Sequence, residues 1–300
     1  MPDHAGLTDT HLHLWDLSGG GYGWLAGAPE GLRRDVRWED VAPQLAVVGV
    51  RRVVLVQADD TRTDTLAMQA AAERIEAGTI PGGSGGVERV DVVAWLPLDD
   101  PHGVAQLLDD SAAMHRVVGV RHLVHDDPDP GFLDRATVRR SLQLLAARGL
   151  PLDVPDAYPR HLRQATRVAR EVPDLTVVLD HLAKPPFGDA AAMRQWEEQL
   201  REAAEVPTVV AKFSGLSTSG RGPGPGDVAR VLEVALDAFG AERLMFGSDW
   251  PIAPVPLDLR SGVQELLDAV DALEEPARSQ LRQRTAEGVY RRVEEQTTSR

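Results

Sequence analysis

The stretch TDTHLHLWD, residues 8–16, places His11 and His13 two positions apart among apolar and β-branched neighbours. Side chains of an extended chain alternate sides, so both imidazoles point one way while Thr10, Leu12 and Leu14 point the other. Two imidazoles side by side suit a metal ion, or an oxygen that gains negative charge during a reaction. An H-x-H triplet is short enough to arise by chance on a surface strand, so the rest of the chain must decide. Further along, strand-like runs carry Arg121 and His122, LDHLAKP holds His181 and Lys184, and FGSDWP holds Asp249.

These residues can act together only if the fold gathers them. Short β-branched runs alternate with amphipathic stretches of about 12 to 16 residues, the pattern of βα units. Eight strands are expected, at 7–15, 51–58, 90–98, 117–124, 150–154, 175–183, 207–215 and 242–250. Several, such as VVLV at 53–56 and TVVL at 176–179, are continuously apolar, as parallel strands covered on both faces should be. Asp100 and Pro101 read as the cap and first turn of a helix, Asp227 as the cap before VARVLEVALDAFG, and Gly149 as the end of SLQLLAARG. Eight such units in about 250 residues fit a (β/α)8 TIM barrel, an α/β fold, better than a doubly wound sheet. One domain over 1–300, with an extra C-terminal helix, is the expected organisation.

Strand ends on one face of a barrel converge, and burying ionisable groups there unpaired costs several kcal/mol. His11, His13, His181 and Asp249 are therefore expected to form the active site, against the plainer reading of Asp249 as a turn residue before Pro251. Arg121 and His122 are adjacent, so only one can face the interior; Arg121 is favoured. Asp180, beside His181, should point to the helix layer. His4, His102, His115, His125 and His161 read as ordinary surface histidines.

Composition removes other classes. There is no cysteine, so disulfides, thiolate metal sites and a cysteine nucleophile are excluded, and any metal must use His and carboxylates. A formal charge of −14 opposes nucleic acid and anionic membranes over most of the surface. No apolar run suits a bilayer span, and no export signal opens the chain, so a soluble cytoplasmic protein acting on a small molecule is expected. SGGGYGWLAGAPEG (18–31) and STSGRGPGPGD (217–227) follow strands 1 and 7 on the face where barrel active sites are built, and read as lids. GTIPGGSGG (78–86) falls on the opposite face and reads as a flexible connection. No glycine-rich loop matches a nucleotide-binding pattern.

DTHLHLWD, GVRHLV, LDHLAKPP, KFSGL and MFGSDWP, in that order from about residue 7 to about 290, resemble the amidohydrolase superfamily of TIM-barrel hydrolases. The branch they resemble holds sugar-acid lactonases such as L-fuconolactonase, and 2-pyrone-4,6-dicarboxylate lactonase. The resemblance implies a strand 8 aspartate, here Asp249, that activates water for attack on a carbonyl. It also implies, in two-metal members, a strand 4 lysine and further histidines on strands 5 and 6. Here strand 4 has no lysine and strand 5, LPLDV, no histidine, so two metals are not expected. The expectation is no required cofactor, or one divalent ion, zinc foremost, on His11, His13 and Asp249.

The expected reaction is opening of a lactone of a sugar acid or a related carboxylated lactone, with His11, His13 and His181 polarising the carbonyl and Asp249 taking the water proton. A lactone is an activated ester and needs less help than an amide, so the metal's Lewis acidity is dispensable for it. Arg121 and Lys184 would hold a carboxylate or hydroxyls, Gln57 a hydroxyl, and Arg221 an anionic group through the second lid. Trp15, Trp24 and Trp250 would wall the pocket. A metal-dependent decarboxylase or other amidohydrolase-type hydrolase of a small organic acid, and a non-catalytic small-molecule-binding barrel, are the alternatives.

Overall fold

The computed structural model describes residues 6–19, 21–252 and 258–292; His4 lies outside them. Eight strands form one sheet in sequence order, every pair parallel: β1 Leu7–Leu12, β2 Val50–Val56, β3 Arg89–Ala94, β4 Val117–Arg121, β5 Leu152–Val154, β6 Val177–Leu179, β7 Val209–Phe213 and β8 Leu244–Phe246. The sheet closes where Thr10 donates to the Phe246 carbonyl at 2.7 Å and Leu12 bridges Trp250 in parallel. Helices follow all eight strands: α1 Trp38–Val48, α2 Arg62–Glu76, α3 Pro101–Asp109, α4 Ala136–Ala147, α5 Leu162–Glu171, α6 Ala190–Ala204, α7 Asp227–Phe239 and α8 Leu259–Asp271. A further helical segment, 277–289, is the extra C-terminal element. No described helix is long and apolar enough to cross a membrane.

Every strand but β5 ends before its sequence pattern does, because the residues past that point leave the ladder. Asp100 caps α3 through the His102 N–H as expected, but α3 ends at Asp109. Asp227 is not a cap. Gly226 holds that position, and the Asp227 carboxylate accepts from the Gly224 N–H at 2.9 Å, closing the turn that leads into α7. The 78–86 connection is tied to α1 rather than loose, with the Trp38 indole donating to the Gly83 carbonyl at 2.7 Å.

Apolar packing divides into two layers. The larger fills the space between sheet and helices. The smaller lies inside the barrel, built from Val54, Val56, Val93, Val118, Val178, Val210 and Met245, together with Ala286 and Tyr290 from the C-terminal segment. The C-terminal segment thus plugs the barrel from the end opposite the site. Arg52, paired with Asp91 at 2.7 Å, donates to the Tyr290 carbonyl at 2.5 Å, and the Tyr290 hydroxyl donates to Asp153 at 2.6 Å. Replacing Tyr290 with Phe keeps the ring and removes a donor from a buried carboxylate, so stability should fall by about 1–3 kcal/mol. The check is a urea midpoint that drops at unchanged slope; an unmoved midpoint contradicts it.

Candidate active site

Strand alternation and two irregularities set the site. Along β6 and β7 the inward residues are Val178 and Val210, so Asp180 and Lys212 also face inward, as does Asp153 from β5. Asp180 therefore sits in the barrel and not, as its neighbour suggested, against the helices. His181 joins it on the same side only because the chain leaves β6 in a left-handed turn, with φ of 55°, 50°, 60° and 62° at His181, Leu182, Ala183 and Lys184. Each such residue is strained by roughly 1–2 kcal/mol. The turn is held by the Trp196 indole on the Leu182 carbonyl at 2.8 Å and the Tyr158 N–H on the Ala183 carbonyl at 3.0 Å. Asp249, at φ 59°, is similarly strained just past β8.

On β4 the pairing with β3 slips after Val92, a bulge that adds one residue. Val118 faces the interior and Val120 the helices, so Arg121, not His122, turns inward. Arg121 reaches Asp180 at 3.1 Å, His11 at 3.3 Å and the Gln57 carbonyl at 2.6 Å. His122 instead stacks on Phe132 and lies between Asp60 at 3.1 Å and Asp127 at 3.0 Å.

The barrel closure brings His11, His13 and Asp249 together, since the Asp249 N–H donates to the His11 carbonyl at 2.8 Å and the His13 N–H to the Trp250 carbonyl at 2.9 Å. Asp9 supports this seam by accepting from the His11 and Ser248 N–H groups at 3.1 and 2.8 Å, and burial pushes its carboxyl up to about 6. Gly215, at φ 54°, lies where any Cβ would strike His181 and stand 2.5 Å from the Asp249 carboxylate. Its bare backbone lets those two groups approach.

The Nε2 atoms of His11, His13 and His181 stand 3.7, 3.6 and 3.6 Å from one oxygen of Asp249, and the first two are 3.1 Å apart. The contacts to Asp249 are too long for hydrogen bonds. Ligands at 2.0–2.1 Å from a shared tetrahedral centre stand about 3.3 Å apart, so the spacing of His11, His13 and Asp249 is that of ligands around an ion. Their partners agree. The other ring nitrogen of His13 donates to the Val56 carbonyl at 2.8 Å, and that of His11 lies 3.3 Å from Asp180. Each Nε2 is thereby left with a lone pair; the Arg121 guanidinium stands 3.3 Å from that of His11, and a cation between the two rings would be held by both. His11, His13 and Asp249 thus fit a divalent cation. The same residues do not readily serve two. A set of His11, Asp180 and His181 also lies close together, but the Lys212 ammonium is 3.1 Å from the His11 Nδ1 and repels a second cation.

Burial lowers His11 and His181 well below the ordinary imidazole value and lowers His13 as well; nearby Lys212 acts in the same direction on His11, and Arg121 on His13. Asp180 is held well below the usual carboxylate range, Lys212, His11 and Arg121 outweighing its burial. Asp153, where burial prevails over its pairing with Lys212, is pushed up to about 6.

Above this floor lies a cavity of about 150 Å³, whose wall includes His13, Trp24, Arg121, His181, Lys184 and Asp249. Its rim carries His125, Asp126 and Asp156. His125 is therefore part of the pocket, and His161 is fully buried with Gln164 at 2.7 Å, so neither is the surface histidine expected; His102 and His115 are not buried. Gln57 is buried behind Arg121 and does not line the cavity. Trp15 and Trp250 pack in the core, while Trp24, anchored to the Ala58 carbonyl at 2.7 Å, forms the wall within 18–31. In 217–227, Thr218 accepts from Lys184 at 2.6 Å, whereas Arg221 is exposed beside Gly188 and outside the cavity wall. Lys212, Asp153, Asp180 and Asp9 were the residues missed. Alternation from Val210 and Val178 was the available signal for Lys212 and Asp180.

An eight-stranded parallel barrel with histidines and an aspartate at its C-terminal face is the architecture of a metal-type hydrolase. The sequence profile described as Amidohydrolase matches residues 8–292, and the chain belongs to that family of enzymes. It is 32% identical over 251 residues to L-fucono-1,5-lactonase of Burkholderia ambifaria, covering 82% of this chain and 80% of that one. To L-fucono-1,5-lactonase of Burkholderia multivorans it is 31% identical over 258 residues, covering 81% of each. A crystal structure of an amidohydrolase from Burkholderia multivorans with bound zinc matches with a TM-score of 0.79 at 30% identity, over 95% of this chain and 99% of that one.

Two measurements test the site. Elemental analysis of the purified protein should find at most one tightly held divalent ion per chain; two would contradict the reading of Lys212. The three imidazoles should stay neutral as pH falls through their ordinary value of 6.5, so kcat/KM should stay level from pH 8 to 6.5. A halving at pH 6.5 would mean that one of them titrates as an exposed histidine does.

Proposed function

We propose that the protein hydrolyses the lactone of a neutral sugar acid. The observation that carries this is the convergence of three imidazole Nε2 atoms on one Asp249 oxygen at the floor of a cavity sized for a single ring. The likeness to two L-fucono-1,5-lactonases supports it.

In this reading the lactone carbonyl oxygen lies against His181, and the Nε2 lone pairs of His11 and His13 face the same volume, where they would hold a divalent ion. Ser214, 2.9 Å from the His181 Nδ1, donates its hydroxyl proton there, leaving Nε2–H to donate to the carbonyl. Asp249 orients a water toward the carbonyl carbon and takes its proton as the tetrahedral centre forms. The protonated Asp249 then returns that proton to the ring oxygen as the carbon–oxygen bond breaks, yielding the hydroxy acid. Arg121 holds His11 in place. A divalent ion on His11, His13 and Asp249, zinc being the natural choice for two imidazoles and a carboxylate, would supply Lewis acidity toward the carbonyl and acidify water.

Charge argues for a neutral substrate over a carboxylated one. Of the two cations in the cavity wall, Arg121 is committed to Asp180 and the Gln57 carbonyl, and Lys184 to Thr218, with Asp156 at 3.6 Å. Asp126 at the rim adds a negative charge that disfavours an anion. Hydroxyls, which can both donate and accept, suit such a wall.

The test is a pH-indicator assay of aldonolactones against pyrone carboxylates, with chelated and zinc-supplemented protein side by side. Aldonolactones should open faster. Asp249→Asn should fold and lose about 10² to 10⁴ in rate, as for a missing general base. His181→Asn should lose about 10² to 10³, as for a missing oxyanion donor. An Asp249→Asn variant with more than about a tenth of the parent turnover would remove Asp249 as the base.

A further inference from the structure

Beside the catalytic cavity the loops after β5, β6 and β7 enclose a second cleft of about 440 Å³. The two hollows share Asp156 and Lys184, which stand 3.6 Å apart as a low partition between them. Tyr158, Pro159 and Pro186 form an apolar side of this cleft. The Tyr158 hydroxyl donates to the Ala192 carbonyl at 3.1 Å, so its ring is fixed before any ligand arrives. Thr218, Ser219 and Gly220 form the facing side. Ser219 is 1% exposed, and its hydroxyl has no hydrogen-bond partner. Gly220, at φ 55°, lets this side pack directly on the loop after β6, since a Cβ would stand 2.6 Å from the Phe187 N and O.

A fixed aromatic ring flanked by prolines offers a flat surface to C–H groups, and the Lys184–Asp156 pair beside it offers contacts to a ligand's own hydroxyls. The pairing of Lys184 with Asp156 leaves no net charge at the partition. These features together describe a place for a pyranose ring. The first cavity has room for one ring, so a second would have to lie across the partition.

We propose that this cleft is a second sugar subsite and that the substrate is a two-ring neutral lactone, an aldonolactone carrying an O-linked glycosyl unit. The glycosyl ring would rest on Tyr158, with Lys184 and Asp156 contacting the linkage region. The proposal rests on the lactonase reading of the first cavity for its reaction, but not for its binding.

The experiment compares a free six-carbon aldonolactone with its O-glycosyl counterparts, differing in linkage position, on the parent protein and on Tyr158→Ala. At least one glycosylated lactone should show kcat/KM about tenfold above the free lactone, the scale of one ring contact, and that ratio should fall toward one in Tyr158→Ala. No glycosylated lactone exceeding the free one, or a ratio untouched by Tyr158→Ala, overturns the subsite while leaving the lactonase reading intact. If neither class is opened, calorimetry with the corresponding free and glycosylated aldonate acids decides. Tighter binding of a glycosylated acid that is lost in Tyr158→Ala supports the subsite, and equal binding overturns it.

Discussion

The Lys212 ammonium, fully buried, lies 2.6 Å from Asp153 and 3.0 Å from Asp180. Each of these charges alone would cost several kcal/mol to bury. Together they are tolerable because a single cation faces two carboxylates, and Tyr290 and Arg121 add one donor to each, while the Asp153 Oδ1 is left without a hydrogen-bond partner. The arrangement links both ends of the barrel. Below it, Tyr290 donates to Asp153 and lies with its ring 5.3 Å from the ammonium, so the C-terminal segment completes the network. Above it, Asp180 orients His11 and receives Arg121. The direction in which His11 presents Nε2 to the substrate side thus depends on a lysine that never reaches the pocket.

Electrostatics and strain act in concert at the floor. Burial and the neighbouring cations keep the imidazoles neutral, which leaves the Nε2 lone pairs of His11 and His13 for a cation and, in the proposed reading, the Nε2–H of His181 for an oxyanion. Positive φ at His181 and Asp249 aims both side chains into one small volume, and interior hydrogen bonds to the carbonyls of the turn keep it from relaxing. Rigid placement of this kind is what water activation requires, because a displacement of about 1 Å can cost two orders of magnitude in rate. The wall above the floor is different in kind. Its cations are already neutralised, Arg121 by Asp180 and Lys184 by Asp156, which suits the hydroxyls of the proposed substrate.

The barrel was legible in the chain because its strands are short, apolar and regularly spaced, and because helix starts such as Asp100–Pro101 are local features. Alternation alone put His11 and His13 on one face, and the polar groups at the other strand ends marked that face as the interior. The absence of cysteine fixed the kind of ligand available. These are properties of neighbouring residues, and local sterics decide them.

Which side chains met in the interior was decided by contacts distant in sequence. Lys212 and Asp153 are 59 residues apart, and nothing near either one marks the other as its partner. Asp180 and His181 could not both face inward along a regular strand; a left-handed turn, held by Trp196 and Tyr158, allows it. Arg121 displaces His122 from the interior through a bulge whose register is set against β3. Alternation determines a side chain's face only while the ladder is regular. At the C-terminal ends of these strands packing and hydrogen bonding outweigh it, and there the tertiary structure alone placed the groups of the proposed site.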